Sequence, residues 1–404
     1  APGARRSAAT MLAAVRYLQG SELVAAFQRR CGLFAQDGAA RRERRDKQDR
    51  NSNYKYKSRV SHDDDAAPPL QYNVRNRLLY YLFLGSAELG HEMFYITFLP
   101  CIHWNLDPFL CRRLVNMWMV VMYIGQVMKD MLKMPRPLSP PVVKLEPRVN
   151  AEYGMPSTHA MAATAISFTF LLSAAPRFQV SGTRPGQPAA RGQIQFEVGL
   201  LVAVAFSTLV GLSRLYTGMH SALDVICGAM ISALLMVATY PAWDAFDRLQ
   251  LESPLSPVLA VLVPLFLCYN YPRLDHYSTT RGDTTVILGA GAGCSVGYWV
   301  NRQLGKTFEP QGGFPVPLPA LTPQALLFGC GRFLLGVAIL LGTRQAMKTF
   351  SLLALCSWRK VSFQDLKARQ QKEIEVPYKF ATYISVGLVN TILVNNVFVV
   401  LGLL

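Results

Sequence analysis

Charge and paired cysteine are both scarce in this sequence, and each shortage excludes a large class. Only 16% of the 404 residues are Asp, Glu, Lys or Arg, well under the quarter usual for a soluble domain. Hydrophobic residues make up 51%. The eight cysteines (Cys31, Cys101, Cys111, Cys227, Cys268, Cys294, Cys330 and Cys356) are scattered without a Cys-x-x-Cys pair. That pattern indicates neither a disulfide framework nor a zinc site, and beside apolar runs Cys behaves as a small hydrophobe. No Asn-x-Ser/Thr sequon and no internal repeat occurs. No cleavable signal peptide is visible at the N-terminus, so the first span is expected to act as the insertion signal, with Met11 an alternative start.

What is abundant is apolar sequence in long runs. They fall at about 78–101, 113–132, 159–176, 196–213, 219–240, 255–272, 283–301, 323–343 and 379–403, most near the twenty or so residues that cross a bilayer. The expected fold is all-α: a polytopic transmembrane bundle of about nine spans. Residues 283–301 are the weakest run, rich in Gly, a composition that suits close helix packing. Residues 346–360 have the pattern of an amphipathic surface helix.

The net charge of +16 is unevenly placed, since residues 1–77 hold 16 Lys/Arg against 8 Asp/Glu. No aromatic-interleaved basic patch accompanies them, so the excess points to topology and anionic lipid rather than nucleic acid. Residues 1–77 are expected to be a basic, largely disordered tail with an amphipathic helix at 11–34. Residues 78–404 form the membrane domain. Segment 344–372 carries seven Lys/Arg and one acid, so it and the tail are expected to face the cytosol together.

Polar clusters interrupt this apolar chain in just two loops. Lys129 ends the second run, and Pro135-Arg136-Pro137 follows it. Pro156-Ser157-Thr158-His159 opens the third run. Ser213-Arg214 ends the fourth, and His220 and Asp224 begin the fifth. The second/third and fourth/fifth loops lie on one membrane face whatever the orientation, so all these groups can converge. If the chain is helical from Met219 onward, Asp224 lies one turn beyond His220 and reaches back to one imidazole nitrogen. That fixes the tautomer and leaves the other nitrogen a better nucleophile or base.

Lys129, Arg136 and Arg214 supply three cations, and guanidinium forks match phosphate oxygens. The first turn of the third helix adds backbone amides around Ser157 and Thr158. Two histidines, one paired to a carboxylate, provide a nucleophile and a separate acid/base. No Asp/Glu/His cluster has metal-ligand spacing, so a two-metal enzyme is not indicated. The chemistry implied is metal-independent phosphoryl transfer at a bilayer surface, without a cofactor.

Together, Lys-x6-Arg-Pro, Pro-Ser-x-His and Ser-Arg-x5-His-x3-Asp, in this order across residues 129–224, resemble the signature of the type 2 phosphatidic acid phosphatase and vanadium haloperoxidase superfamily. That places the phosphatase core at about 113–240. One departure is Thr158, where the wider superfamily usually has Gly and where a Cβ could crowd the phosphate. The form Pro-Ser-Thr-His, with the stretch from Arg136 to Glu146, resembles the sphingosine-1-phosphate phosphatases. So do Phe94-Tyr-Ile-Thr-Phe-Leu-Pro and Ile374-Glu-Val-Pro-Tyr-Lys-Phe.

The resemblance implies hydrolysis of sphingosine 1-phosphate and dihydrosphingosine 1-phosphate in the endoplasmic reticulum membrane. His220 would form a phosphohistidine, with Asp224 supporting the imidazolium. His159 would protonate the leaving alkoxide and then activate water. Lys129, Arg136, Arg214, Ser157 and Thr158 would hold the phosphate. The alternatives are a sugar phosphatase of the glucose-6-phosphatase type and a non-catalytic lipid carrier on the same scaffold.

Glu88, His91 and Glu92 share one face inside the first apolar run. Glu88 or Glu92 is the candidate partner for a substrate ammonium, with Glu152 and Tyr153 competing. His62, His103 and His276 have no partner pattern and read as surface or interfacial. Arg332 is expected to snorkel or pair within the bundle.

Overall fold

A computed structural model describes residues 2–35, 71–146, 152–179, 188–274, 277–310, 316–317, 322–362 and 364–403. The chain opens with α1 (Pro2–Gln19) and α2 (Ser21–Arg30). The amphipathic stretch expected at 11–34 is therefore two helices, divided at Gly20. Strand β1 (Leu33–Ala35) pairs antiparallel with β2 (Tyr72–Val74), Leu33 opposite Val74. The basic tail between them, with His62, lies outside the described residues.

The first apolar run does not form one helix. Helix α3 (Arg77–Glu88) starts under the Asn76 side chain, which accepts from the Leu79 amide at 3.0 Å. It stops at Glu88, and α4 (Glu92–Asn105) begins after a turn. A Cβ on Gly90 in that turn would press on His159 and Val210, so the break sits against the helices that carry those two residues. This run does not supply a single uninterrupted crossing, and a count of nine is not reproduced there.

Helix α5 (Pro108–Leu132) has Pro at its first turn and Asp107 as cap, accepting from the Phe109 amide at 2.9 Å. It ends where Lys133 turns left-handed at φ 50°, just before the prolines. Then come α6 (Thr158–Ala174), α7 (Pro188–Tyr216) and α8 (Ala222–Thr239). A 3-10 turn (Tyr240–Ala242) carries α8 into α9 (Trp243–Glu252). Helices α10 (Ser256–Tyr269), α11 (Thr280–Gln303), α12 (Pro323–Arg359), α13 (Leu366–Arg369) and α14 (Lys372–Leu388) follow. A π-turn at Val389–Leu393 leads to α15 (Val394–Val400). Two-residue strands β3 (Phe178–Gln179) and β4 (Val316–Pro317) pair in parallel.

Among the described residues, four stretches are long and apolar enough to cross a membrane: Phe196–Tyr216, Ala222–Glu252, Pro323–Arg359 and Lys372–Val400. Thr158–Ala174 and Ser256–Tyr269 are shorter apolar helices. The surface helix expected at 346–360 is the continuation of α12, whose 37 residues extend about 55 Å against about 30 Å of hydrocarbon. The glycine-rich run is α11, and it lies flush on α14, where a Cβ at Gly293 would collide with the Ile384 carbonyl. Small residues let backbones approach this closely. The central core joins Tyr95, Leu99, Leu114, Trp118, Ile166 and Ile287 from α4, α5, α6 and α11.

Of the isolated polar residues, His103 departs from expectation and Arg332 meets it. His103 is buried rather than interfacial, its Nδ1 against the Tyr298 hydroxyl at 3.1 Å and its Nε2 against Asn395 Nδ2 at 2.9 Å. Arg332 pairs inside the bundle, donating to the carbonyls of Leu403 (2.8 Å) and Trp104 (3.1 Å). His276 lies outside the described residues.

Candidate active site

The C-terminal ends of α5 and α7 meet the N-terminal ends of α6 and α8, and that meeting gathers the three polar clusters. Ser157 caps α6, its Oγ accepting from the Ala160 amide at 3.4 Å. Its own amide donates to the Asp224 carbonyl at 3.0 Å, which ties the α6 start to the α8 start. The Ser157 amide is thus unavailable as an anion donor, contrary to the sequence reading. The amides of Thr158 and His159 are those that helix geometry leaves for an anion. Thr158 turns its hydroxyl to Lys129 Nζ at 3.5 Å. Its methyl lies over Gly125, where a Cβ would come within 3.2 Å of it. The extra side chain at this position is therefore accommodated against α5.

The loop between α7 and α8 is shaped by Gly218, at φ 75°, where any Cβ would collide with the Val143 carbonyl. Such a φ is cheap for Gly and strained for other residues. The turn brings the Met219 and His220 amides back onto the Arg214 carbonyl at 3.1 and 3.3 Å. Helix α8 begins at Ala222, not at Met219. Ser221 is its cap, and Ser221 and Asp224 form a reciprocal capping box at 3.2 and 2.8 Å. His220 therefore precedes the helix. Asp224 Oδ2 stands 3.7 Å from His220 Nδ1, too far for a hydrogen bond, because that oxygen is committed to the Ser221 amide. Among the described residues the buried Nδ1 has no hydrogen-bond partner.

The loop from α5 to α6 is pinned from outside by α2. Gln28 donates to the carbonyls of Val143 (2.7 Å) and Tyr216 (2.8 Å) and accepts from the Val143 amide (2.9 Å). Val24, Ala25, Val142 and Leu215 close an apolar contact around it. The sequence reading missed this clamp, because one Gln in an amphipathic helix carries no signal of what it will touch.

All three cations are buried or nearly so, and each is held by a carboxylate of that loop. Lys129 Nζ and Arg136 Nη2 share Glu152 Oε2 at 3.5 and 3.2 Å, and Thr279 donates to the other Glu152 oxygen at 2.9 Å. Arg136 also donates to the Glu152 carbonyl at 3.0 Å and the Met219 carbonyl at 3.2 Å. Burial opposes the Glu152 charge, but Lys129 and Arg136 outweigh it and hold the carboxyl below its ordinary value. Arg214 holds Glu146 in a two-point grip at 2.8 and 3.2 Å, while its Nε is buried without a partner.

His159 Nε2 is likewise buried and unpaired. This ring feels the charges of Arg214, His220, Lys129 and His91, and the His91 ring lies 6.3 Å away, centroid to centroid. Burial first, then Arg136, Arg214 and Lys129, push the His220 imidazole well below its ordinary value, with the Gly154 backbone acting weakly the other way. A neutral, buried imidazole among three cations is poised to attack an anion. Among the described residues no group of His, Cys, Asp and Glu could hold a metal ion.

Of the remaining candidates, Glu88 is exposed at the end of α3, just before Gly90. The Glu92 side chain is outside the described residues. Glu152 lies inside the cation cluster. Glu146, which the sequence reading did not single out, is at the site as well.

Helix ends that pool two histidines with Lys and Arg in this order define a class, and residues 111–248 match the PAP2 superfamily. Sphingosine-1-phosphate phosphatase 2 of Homo sapiens is 50% identical over 408 residues, covering 96% of this chain and 99% of that one. Sphingosine-1-phosphate phosphatase 1 of Mus musculus is 42% identical over 335 residues, or 82% and 74% of the two chains. A dihydrosphingosine 1-phosphate phosphatase of Saccharomyces cerevisiae is 28% identical over 249 residues, or 61% and 59%. The chain belongs to the sphingosine-1-phosphate phosphatase family. No solved structure matches it.

Proposed function

We propose that this protein hydrolyses sphingosine 1-phosphate and related sphingoid base phosphates to the free base and phosphate, in the endoplasmic reticulum membrane. The observation that carries the reading is the gathering of two buried imidazoles, His159 and His220, among Lys129, Arg136 and Arg214. The family membership supports the substrate class.

The phosphate of the substrate takes the place prepared by the three cations and the first-turn amides of Thr158 and His159. His220 attacks phosphorus in line through Nε2, since Nδ1 faces Asp224. A phosphorus–nitrogen bond forms as the bond to the sphingoid oxygen breaks, and His159, which takes up a proton from solvent when the phosphate dianion binds beside it, delivers that proton to the leaving alkoxide. The imidazolium-like character of phospho-His220 is supported by the Asp224 carboxylate. His159, now neutral, takes a proton from water, which displaces His220 from phosphorus and frees inorganic phosphate. Each preorganised donor contributes about 3 kcal/mol to such a transition state.

The test is a substrate panel in chelator on purified wild type and His220→Ala. Sphingosine 1-phosphate should be hydrolysed by the wild type alone, and glucose 6-phosphate by neither. Preference for the hexose phosphate would assign a sugar phosphatase. No phosphate release from any substrate by either protein would leave a lipid carrier.

A further inference from the structure

Each carboxylate in the cation cluster poses a problem for a phosphate-binding site, and the two are held differently. Glu152 is fixed by Lys129, Arg136 and Thr279 and its side chain is 26% exposed. Glu146 accepts from Arg214 at 2.8 and 3.2 Å and is 37% exposed. The backbone beneath Glu146 is firm, because the Leu145 amide donates to the Thr217 carbonyl at 3.1 Å and Val143 is clamped by Gln28. Glu146 is thus a partly solvated carboxylate gripping a guanidinium whose Nε is buried and, among the described residues, unpaired.

A phosphate that satisfies Arg214 Nε arrives beside the Glu146 carboxylate. For a phosphate monoester with no other charge this is a like-charge contact that opposes binding. For a 2-amino-alkyl phosphate the result is reversed. Its ammonium sits four bonds from phosphorus, within reach of the carboxylate next to the bound phosphate. The Arg–Glu pair of the resting site and the phosphate–ammonium zwitterion of the substrate then exchange partners, with no net charge stranded.

Resting on the phosphatase reading above, we infer that Glu146 is the specificity residue that selects phosphate monoesters carrying a neighbouring ammonium and rejects those that lack it. The carboxylate works in both directions, attracting the right substrate and repelling the wrong one. This assigns to Glu146 the task that the sequence pattern offered to Glu88 or Glu92.

The experiment compares sphingosine 1-phosphate with octadecyl phosphate, which has a similar chain and no amine, in mixed micelles. The readout is the ratio of their kcat/KM values on one preparation, which does not depend on the fraction folded. In wild type the ratio should favour the amine. Glu146→Gln should lower it about tenfold, through a higher KM for sphingosine 1-phosphate and a lower one for octadecyl phosphate. Inhibition by orthovanadate should tighten in the same variant, and Glu146→Asp should recover part of the ratio. A Glu146→Gln enzyme that hydrolyses both substrates with the wild-type ratio overturns the inference while leaving the phosphatase reading intact. So does a ratio that moves with Glu88→Gln and not with Glu146→Gln. A wild type that hydrolyses neither overturns both.

Discussion

At the N-terminal end of α5, Arg112 reaches Asp247 (3.3 Å) and Glu309 (3.1 Å), while Arg113 pairs with Asp244 and Asp247. Arg177 joins them through Asp107 (2.6 Å) and Glu309 (3.5 Å). The Phe109 ring lies among the three guanidiniums, at 5.3, 4.4 and 4.0 Å. At the C-terminal end of the same helix, Lys129, Arg136 and Arg214 are equally buried, but the partners are incomplete. Among the described residues Lys129 has only contacts of 3.5 Å, and Arg214 Nε and His159 Nε2 have none. The 25 residues of α5 separate the two clusters by about 37 Å. One network is closed by the protein itself. The other is left for a ligand to close, and buried groups without partners are costly unless something fills them.

The largest contrast should come from the imidazoles. His220→Ala or His159→Ala should lower phosphate release by about 10⁴-fold or more while thermal stability holds or rises, because each removes a buried unpaired group. Loss of folding in these variants would place the histidines in the structural network instead.

Breaking the far cluster should do the opposite. Asp107→Ala removes both the 2.6 Å partner of Arg177 and the cap of α5 and should cost about 3–5 kcal/mol of stability, with kcat per folded molecule unchanged in detergent. Lys129→Met should mirror it, lowering kcat/KM about 10²–10³-fold with no stability loss by thermal denaturation.

A third test uses pH. Neutral His220 is the reactive form, and its protonation lies well below the ordinary imidazole value. The acid limb of kcat/KM should therefore fall below pH ~6.5. Stability follows the same sign. Below that pH the unfolded chain gains a proton at His220 that the folded site refuses, so stability declines as pH falls toward the folded value. His220→Gln should flatten that part of the stability profile; an unchanged profile would contradict the depressed value.

The smallest effect is at the clamp. Gln28→Ala leaves the Val143 and Tyr216 groups unpaired, at about 1–3 kcal/mol, and should raise KM more than it lowers kcat. A kcat loss at constant KM would show that α2 acts on chemistry rather than on the loop.

The sequence exposed the chemical groups because Lys129, Arg136, His159, Arg214 and His220 are expensive at helix ends in an apolar chain, and loop parity put them on one face. What it hid was which atoms were already spent. Periodicity placed Asp224 one turn from His220, but the cap at Ser221 took the carboxylate and displaced the imidazole from the helix. Hydropathy could not see that Gly90 breaks the first run to make room for His159, nor that α12 continues past the bilayer length. Glu146, among prolines ten residues after Arg136, follows no periodic pattern, and only folding of the loop onto Arg214 gives it meaning.

The most direct measurement is rapid quenching of turnover with sphingosine 1-phosphate labelled at phosphorus. The account predicts a base-stable, acid-labile phosphoenzyme mapped to His220 in the wild type and absent from His220→Ala. Label on any other residue, or label that survives the loss of His220, would contradict it.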